Sequence, residues 1–197
     1  MTVLHPLPPL LPSGARRIEH LEALSADTCR SLVEGLGGSV PRQSQIVDAY
    51  STAGARVDRT IRSSDLFPFD LASDVGREIV QLCSAANDEL FHLDVIGILA
   101  RDTPAIHRYR NESYDHFVRH VDVGDQMPYR KLTFTVQLTP EDEYVGGDLV
   151  FPEAGMVAPR EVGSMTVFSS LLAHVVTPIV SGVRHALVGW IHGNEFR

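Results

Sequence analysis

From residue 91 to the end of this 197-residue chain, short β-type runs follow one another with little between them. "FHLDVIGILA", "AIHRYR", "KLTFTVQL", "GDLVF", "SMTVFSS", "AHVVTPIV" and "RHALVGWIHG" are rich in β-branched and aromatic residues, and Gly, Pro, Asp and Asn punctuate them. So many short strands have few ways to bury their apolar faces, and two antiparallel sheets facing one another as a sandwich or barrel is the economical solution. In "KLTFTVQL" the two faces separate cleanly. Leu132, Phe134, Val136 and Leu138 belong to an outer core, while Thr133, Thr135 and Gln137 alternate with them and are placed to line a pocket.

Two helices precede the strands. In "LSADTCRSLVEGLGG", Ser25 is a cap, Asp27 lies in the first turn, and Cys29, Leu32, Val33 and Leu36 form an apolar stripe that Gly37 and Gly38 end. A second helix is expected from near Asp70, with Leu71, Val75, Ile79, Leu82, Cys83, Ala86 and Leu90 on its buried side. The expectation is an α+β, mainly β fold with the helices packed on one side of the β core. Residues 1–19 read as a proline-rich arm and 20–197 as a single domain. Residues 50–66, "YSTAGARVDRTIRSSDL", are small, polar and arginine-rich, with Gly54 among them. They read as a mobile lid.

Cys29 and Cys83, both on helical apolar stripes, read as buried free thiols. The formal net charge of −8 and the absence of a basic face argue against nucleic acid and anionic membrane surfaces as partners. There is no apolar run of bilayer-spanning length and no basic segment before the apolar start, so a cytoplasmic protein is expected.

With nine histidines in the chain, an isolated one carries little information. "RHVD" is more informative, because His120 and Asp122 at i and i+2 project from the same face of a strand. On spacing alone they read as a surface pair or as two metal ligands. "LLAHVVTPIVSGVRHALVGWIHG" adds His174 at the start of one β run and Arg184 at the start of the next, with Ser181–Val183 read as the turn of a hairpin between them. Two imidazoles and one carboxylate on one face of a metal leave open positions and suit non-haem Fe(II). A neighbouring arginine suits a dicarboxylate, which its planar fork can bind bidentately. Tyr109, Tyr114 and Trp190 read equally as packing aromatics, Arg62 and Arg130 as surface charges, and His107, His116, His185 and His192 as groups behind the site or on the surface.

The stretches "RYRNESYDHFVRHVD", "RKLTFTVQL", "GGDLVFP" and "GSMTVFSSLLAHVVTPIVSGVRHALVGWIHG" together resemble the Fe(II)- and 2-oxoglutarate-dependent oxygenases of the prolyl 4-hydroxylase type, over about residues 20 to 193. "LSADTCRSLVEGL" and "VDRTIRSS" fit that family's leading helix and the segment after it. The resemblance implies a double-stranded β-helix and a dioxygenase that couples conversion of 2-oxoglutarate to hydroxylation of an unactivated C–H bond, using molecular oxygen, with ascorbate as an optional reductant. It implies that His120, Asp122 and His174 are the iron ligands and that Arg184 holds the far carboxylate of 2-oxoglutarate. It places Tyr109 and Trp190 at the cosubstrate, and Arg130, with Arg62, at the substrate. The spacing from Tyr109 to His120 is about two residues longer than the family pattern, which makes Tyr114 a second candidate for the cosubstrate contact. Arg184 stands where collagen-type members usually have lysine, and Leu149 where peptide prolyl hydroxylases often have threonine. A carboxylate at Asp122 favours hydroxylation over halogenation. The substrate so implied is prolyl or amino-acid-like, either a peptide or a small molecule. Two alternatives stay open: a natural-product intermediate with another oxidative outcome, such as desaturation or cyclisation, and a non-catalytic cupin-like metal-binding module.

Overall fold

The computed structural model describes residues 18–47, 55–124 and 126–196. Most of the expected N-terminal arm and the first part of the expected lid, including Gly54, lie outside these residues. In chain order the elements are β1 (Ile18–Glu22), α1 (Ala26–Glu34), β2 (Arg42–Gln43), β3 (Ile46–Val47), β4 (Ala55–Arg56), β5 (Arg62–Ser63), β6 (Asp65–Pro68) and α2 (Asp74–Ala86). A strand-rich half follows: β7 (Val95–Gly97), β8 (Ala105–Arg110), β9 (His116–His120), β10 (Arg130–Gln137), β11 (Tyr144–Gly146), β12 (Leu149–Phe151), β13 (Met156–Val157), β14 (Ser164–Ser169), β15 (His174–Val176) and β16 (Ile179–Gly193).

Apart from β3 and β4, which pair with each other, the strands form two facing antiparallel sheets, the double-stranded β-helix expected from the sequence. The larger runs β1-β14-β10-β16-β8-β6-β2, with β7 and β11 also on β16; the smaller runs β13-β12-β15-β9-β5. Period-two alternation assigns the faces. On β10, Leu132, Phe134 and Val136 are fully buried and join Leu187, Ile191, Ile106 and Phe67 against Cys29, Ile79, Cys83 and Ala86 of the two helices. Both helices therefore pack on the outer face of the large sheet. A buried phenylalanine such as Phe134 stabilises the fold by roughly 2–3 kcal/mol. Between the sheets a second cluster gathers Tyr109, Tyr144, Leu149, Phe151, Phe168, Val176 and Ile179.

The helix boundaries differ from those read in the sequence. Ser25 caps α1 through the Thr28 N–H at 3.1 Å, as expected, but the helix closes at Gly35, two residues before the Gly37–Gly38 pair. The second helix starts at Asp74. Ser73 caps it, while the Asp70 carboxylate accepts the Ala72 N–H and holds 70–73 as a turn. Both cysteines are free and buried, and burial pushes the Cys29 thiol up to about 11 and Cys83 higher still. No helix among the described residues is long and apolar enough to cross a membrane.

Two larger expectations are corrected. Ser181–Val183 is not a hairpin turn. β16 runs unbroken for 15 residues and pairs with β11 on one stretch and with β8 and β10 on the next. Gly182, at φ +77°, lets the strand pass so close to the Glu143 carbonyl that a Cβ would sit 2.1 Å from its oxygen. His174 and Arg184 thus lie in opposite sheets. The second half of the expected lid is also sheet: β5 pairs with β9 and β6 with β8, and Ser63, Ser64 and Asp65 are buried. Similarly, Ile18 and Glu19, read as the end of the arm, pair with Phe168 and Val167.

Gly146 at φ +82° carries the chain into β12, and a Cβ there would lie 2.1 Å from the Pro178 carbonyl oxygen. Gly155 at φ +62° has nothing within 4 Å of its would-be Cβ. Gly146→Ala should therefore destabilise by about 3 kcal/mol or more, and Gly155→Ala by only about 1–2 kcal/mol. Equal shifts in the urea midpoints of the two variants would contradict this account of the β11–β12 turn.

Candidate active site

β9 and β15 are neighbours in the small sheet, and their register puts His120 directly opposite His174. The ring centroids are 4.1 Å apart. Each imidazole is aimed by its own backbone. His120 Nδ1 donates to the Val118 carbonyl at 2.7 Å and His174 Nδ1 to the Leu172 carbonyl at 3.0 Å. A carbonyl only accepts, so the proton sits on Nδ1 and the Nε2 lone pair is free in both rings. Asp122 lies just past the end of β9, held by its N–H to the Ser170 carbonyl at 3.0 Å. His120 Nε2 is 3.7 Å from its Oδ1 and His174 Nε2 is 3.5 Å from its Oδ2. All three ligand atoms lie within 4.8 Å of one another. Two neutral imidazole nitrogens and one carboxylate, preset in this way, fit a divalent ion of the Fe(II) type with an open side.

The electrostatics agree. Burial pushes the Asp122 carboxyl up, but nearby positive charge, Arg130 included, and the Thr133 hydroxyl, which donates at 2.6 Å, outweigh it and hold the group ionised. Burial, followed by His174, keeps His120 neutral. Both directions favour the metal-ready protonation states.

The same cavity is lined by Tyr109, Trp190, Arg62 and Arg184 across from the three ligands, with His107, Phe117, Thr133 and Thr135 in its walls. Arg184 projects from β16 and is 4% exposed. Its Nε donates to Gln137 Oε1 at 3.1 Å, and that amide is itself oriented by Nε2 donating to the Tyr144 hydroxyl at 2.7 Å. The Arg184 guanidinium also faces the Tyr109 ring at 5.5 Å. No carboxylate among the described residues lies within ion-pair distance of it. A cation buried without an acid is costly, and a ligand carboxylate would relieve that cost, so the site fits 2-oxoglutarate.

Tyr114 does not join this group. It is 64% exposed, in the left-handed region at φ 48°, where it ends a one-turn helix. The loop absorbs the longer spacing between Tyr109 and His120, and Tyr109 is the tyrosine in the cavity. Arg130 is not a free entrance cation either. Its fork is clamped by Asp102, at 2.7 Å from both Nε and Nη2, and its guanidinium stacks 3.4 Å over Trp190.

Two residues, one in the cavity wall and one behind it, are easy to miss in the sequence. His107 is 2% exposed, and its Nδ1 lies 3.3 Å from Arg62 Nη2 and 3.4 Å from the Tyr109 hydroxyl. Burial first, and then Arg62 and Arg184, hold its pKa well below the usual histidine value. Period two from Tyr109 was the available signal for His107. Asp102, in the turn before β8, had no signal at all.

A family model described as the 2OG-Fe(II) oxygenase superfamily matches residues 104–192. A PKHD-type hydroxylase of Synechococcus sp. (strain CC9311) is 30% identical over 178 residues, which cover 87% of this chain and 76% of that protein. The chain belongs to the 2OG-Fe(II) oxygenase superfamily. It is a 2-oxoglutarate-dependent dioxygenase, with Fe(II) as metal and 2-oxoglutarate as cosubstrate. A PKHD-type hydroxylase of Hyphomonas neptunium is 30% identical over 73% of this chain, which spans 66% of that protein's length, just under two thirds. Among solved structures, a Pseudomonas putida prolyl-4-hydroxylase is similar in fold, with a TM-score of 0.65 at 18% identity over 90% of this chain and 92% of that one. A Trichoplax adhaerens prolyl hydroxylase, solved in complex with a hypoxia inducible factor peptide fragment, has a TM-score of 0.68 at 17% identity over 92% and 84%.

His174→Ala is expected to weaken Mn(II) binding by roughly 100-fold or more, because two ligands cannot hold a facial site and the loss of a mere supporting group already costs that order. Titration of the free-ion Mn(II) resonance measures it, and wild-type affinity would remove His174 from the ligand set.

Proposed function

We propose that this chain hydroxylates an unactivated C–H bond of a prolyl or amino-acid-like substrate, in a peptide or a small molecule, with His120, Asp122 and His174 holding Fe(II) and Arg184 anchoring the far carboxylate of 2-oxoglutarate. The observation that carries this reading is Arg184, a buried guanidinium that shares a cavity with a three-ligand cluster and faces only neutral partners. A non-catalytic metal-binding module has no use for such an anchor. The relatives named as PKHD-type hydroxylases, and the fold shared with prolyl hydroxylases, support the choice of reaction and of substrate class.

Bound Fe(II) and 2-oxoglutarate supply the oxygen-activating chemistry. The chain contributes geometry and charge. The two carbonyl-anchored imidazoles would present their Nε2 lone pairs to the ion, and Thr133 fixes one Asp122 oxygen. Arg184 sets the direction of the cosubstrate, and Phe117, Phe168, Val176, Leu149 and Val188 keep the cavity dry. Asp122 would offer the ion a carboxylate, which by the family resemblance favours hydroxylation over halogenation.

The substrate side is rich in donors and short of acceptors. Arg62 Nε and Trp190 Nε1 are buried without a hydrogen-bond partner, and the one carboxylate that lines the cavity among the described residues, Asp122, belongs to the three-ligand cluster. Arg62 also lies 4.7 Å over the Phe117 ring, beside the iron ligands. A substrate that brings a carboxylate or carbonyl oxygen to these donors matches the vacancy. The acidic overall balance and the two free thiols fit a cytoplasmic enzyme without a nucleic-acid partner.

Succinate release that requires both Fe(II) and 2-oxoglutarate tests the reaction class, and its absence would leave the module reading. Arg184→Ala should weaken 2-oxoglutarate binding by at least ~2 kcal/mol, measured by anaerobic titration of the Mn(II) protein. An unchanged Kd would mean that another group anchors the cosubstrate. Arg62→Ala should raise KM for acid-bearing substrates about tenfold or more while leaving the Kd for 2-oxoglutarate unchanged. A KM that does not move would remove Arg62 from the substrate site.

A further inference from the structure

Asp102 is far from the ligand set in sequence and does not line the cavity, yet it closes the network behind the metal cluster. Its carboxylate takes both forks of Arg130, with Oδ2 2.7 Å from Nε and Oδ1 2.7 Å from Nη2. On its other side His192 Nε2 donates to Oδ2 at 2.8 Å, and the Leu99 N–H donates to His192 Nδ1 at 3.2 Å. This clamp holds the Arg130 guanidinium over Trp190 at 3.4 Å. The third nitrogen, Nη1, reaches the main-chain oxygen of Asp122 at 3.4 Å and stops 4.0 Å short of its carboxylate Oδ1. The Asp122 carboxylate is therefore left to the imidazole side and to Thr133.

A free guanidinium in that place would behave differently. Opposite charges at 4 Å in a partly buried site attract strongly, and a short rotation would bring Nη1 onto Oδ1. The ligand oxygen would then be shared with a cation that competes with the metal. The fork–fork pair with Asp102 prevents this in two ways: it neutralises Arg130 and it fixes the plane of the group.

We infer that Asp102 is a positioning residue that keeps Arg130 from capturing the metal-ligating carboxylate of Asp122, with His192 securing Asp102 in turn. This rests on the assignment of His120, Asp122 and His174 as the metal ligands. It makes Asp102 a determinant of metal affinity although it touches neither metal nor cosubstrate.

The test is Mn(II) affinity, read from the free-ion resonance, in four proteins. The wild type must bind, and failure there counts against the ligand assignment itself. Asp102→Asn, which releases Arg130, should bind at least tenfold more weakly. Asp102→Asn combined with Arg130→Gln, which removes the competing cation as well, should return to within threefold of the wild type. Arg130→Gln alone should also stay within threefold. A merely structural role for Asp102 gives the opposite pattern, because the second substitution would compound the first. Wild-type affinity in Asp102→Asn, no recovery in the double variant, or a tenfold loss in Arg130→Gln would each overturn the inference. Near-UV circular dichroism reports folding, and should Asp102→Asn fail to fold, the double and Arg130→Gln variants still decide the matter.

Discussion

Among the described residues, two guanidinium groups and one carboxylate line the cavity of this barrel, and the surrounding structure is arranged around that imbalance. Arg62 and Arg184 meet partners that carry no charge: the Gln45 carbonyl and the Phe117 face for one, whose Nε stays without a partner, and the Gln137 amide oxygen and the Tyr109 face for the other. Such contacts hold a cation in place without cancelling it. Where neutralisation is needed the fold supplies acids, as with Asp65 against Arg108 and Arg110, and Asp102 against Arg130. The contrast separates charges fixed for the architecture from charges left for ligands. It also explains the polar face of β10, where Thr133 and Gln137 each orient a group of the candidate site.

Much of the fold was legible because it rests on periodicity. Alternation along 132–138 assigned the outer core and the pocket face of β10 correctly, and the 3.6-residue stripes found both helices on one side of the sheet. Departures came where local signals meet tertiary ones. Gly37–Gly38 read as the helix stop, but Gly35 already closes α1. "SGV" read as a turn, but its glycine serves a close approach to Glu143 inside a continuous strand. Small, polar, arginine-rich residues read as a lid, but 62–63 and 65–68 are strands whose polar groups find partners in β8 and just before β9: Asp65 on Arg108, and Ser63 on Asp115.

The site was legible to the extent that it is written in spacing. A His-x-Asp at the end of one strand, with a histidine and an arginine ten residues apart further on, gathers in one cavity, and the hairpin assumed for the last two proved unnecessary because the two sheets face each other. Side-chain partnerships were not legible. Nothing in "ARDTP" announces that Asp102 meets Arg130, 28 residues away, and His192, 90 away. Nor does the sequence say which of Tyr109 and Tyr114 turns inward, since that depends on a single left-handed residue at the end of a one-turn helix.

β16 carries Arg184, Val188, Trp190 and His192 at even-numbered steps, while Leu187 and Ile191 at the odd steps point into the core beneath the helices. It is paired on both edges over its central stretch, with β8 on one side and β10 on the other. A one-residue slip would exchange the two sets wholesale, placing leucine and isoleucine against the cluster and the cation against the helices. Intermediate registers offer no partial site. Arg184 and His192 are thus mechanically one piece, joined by a central stretch that is paired on both edges.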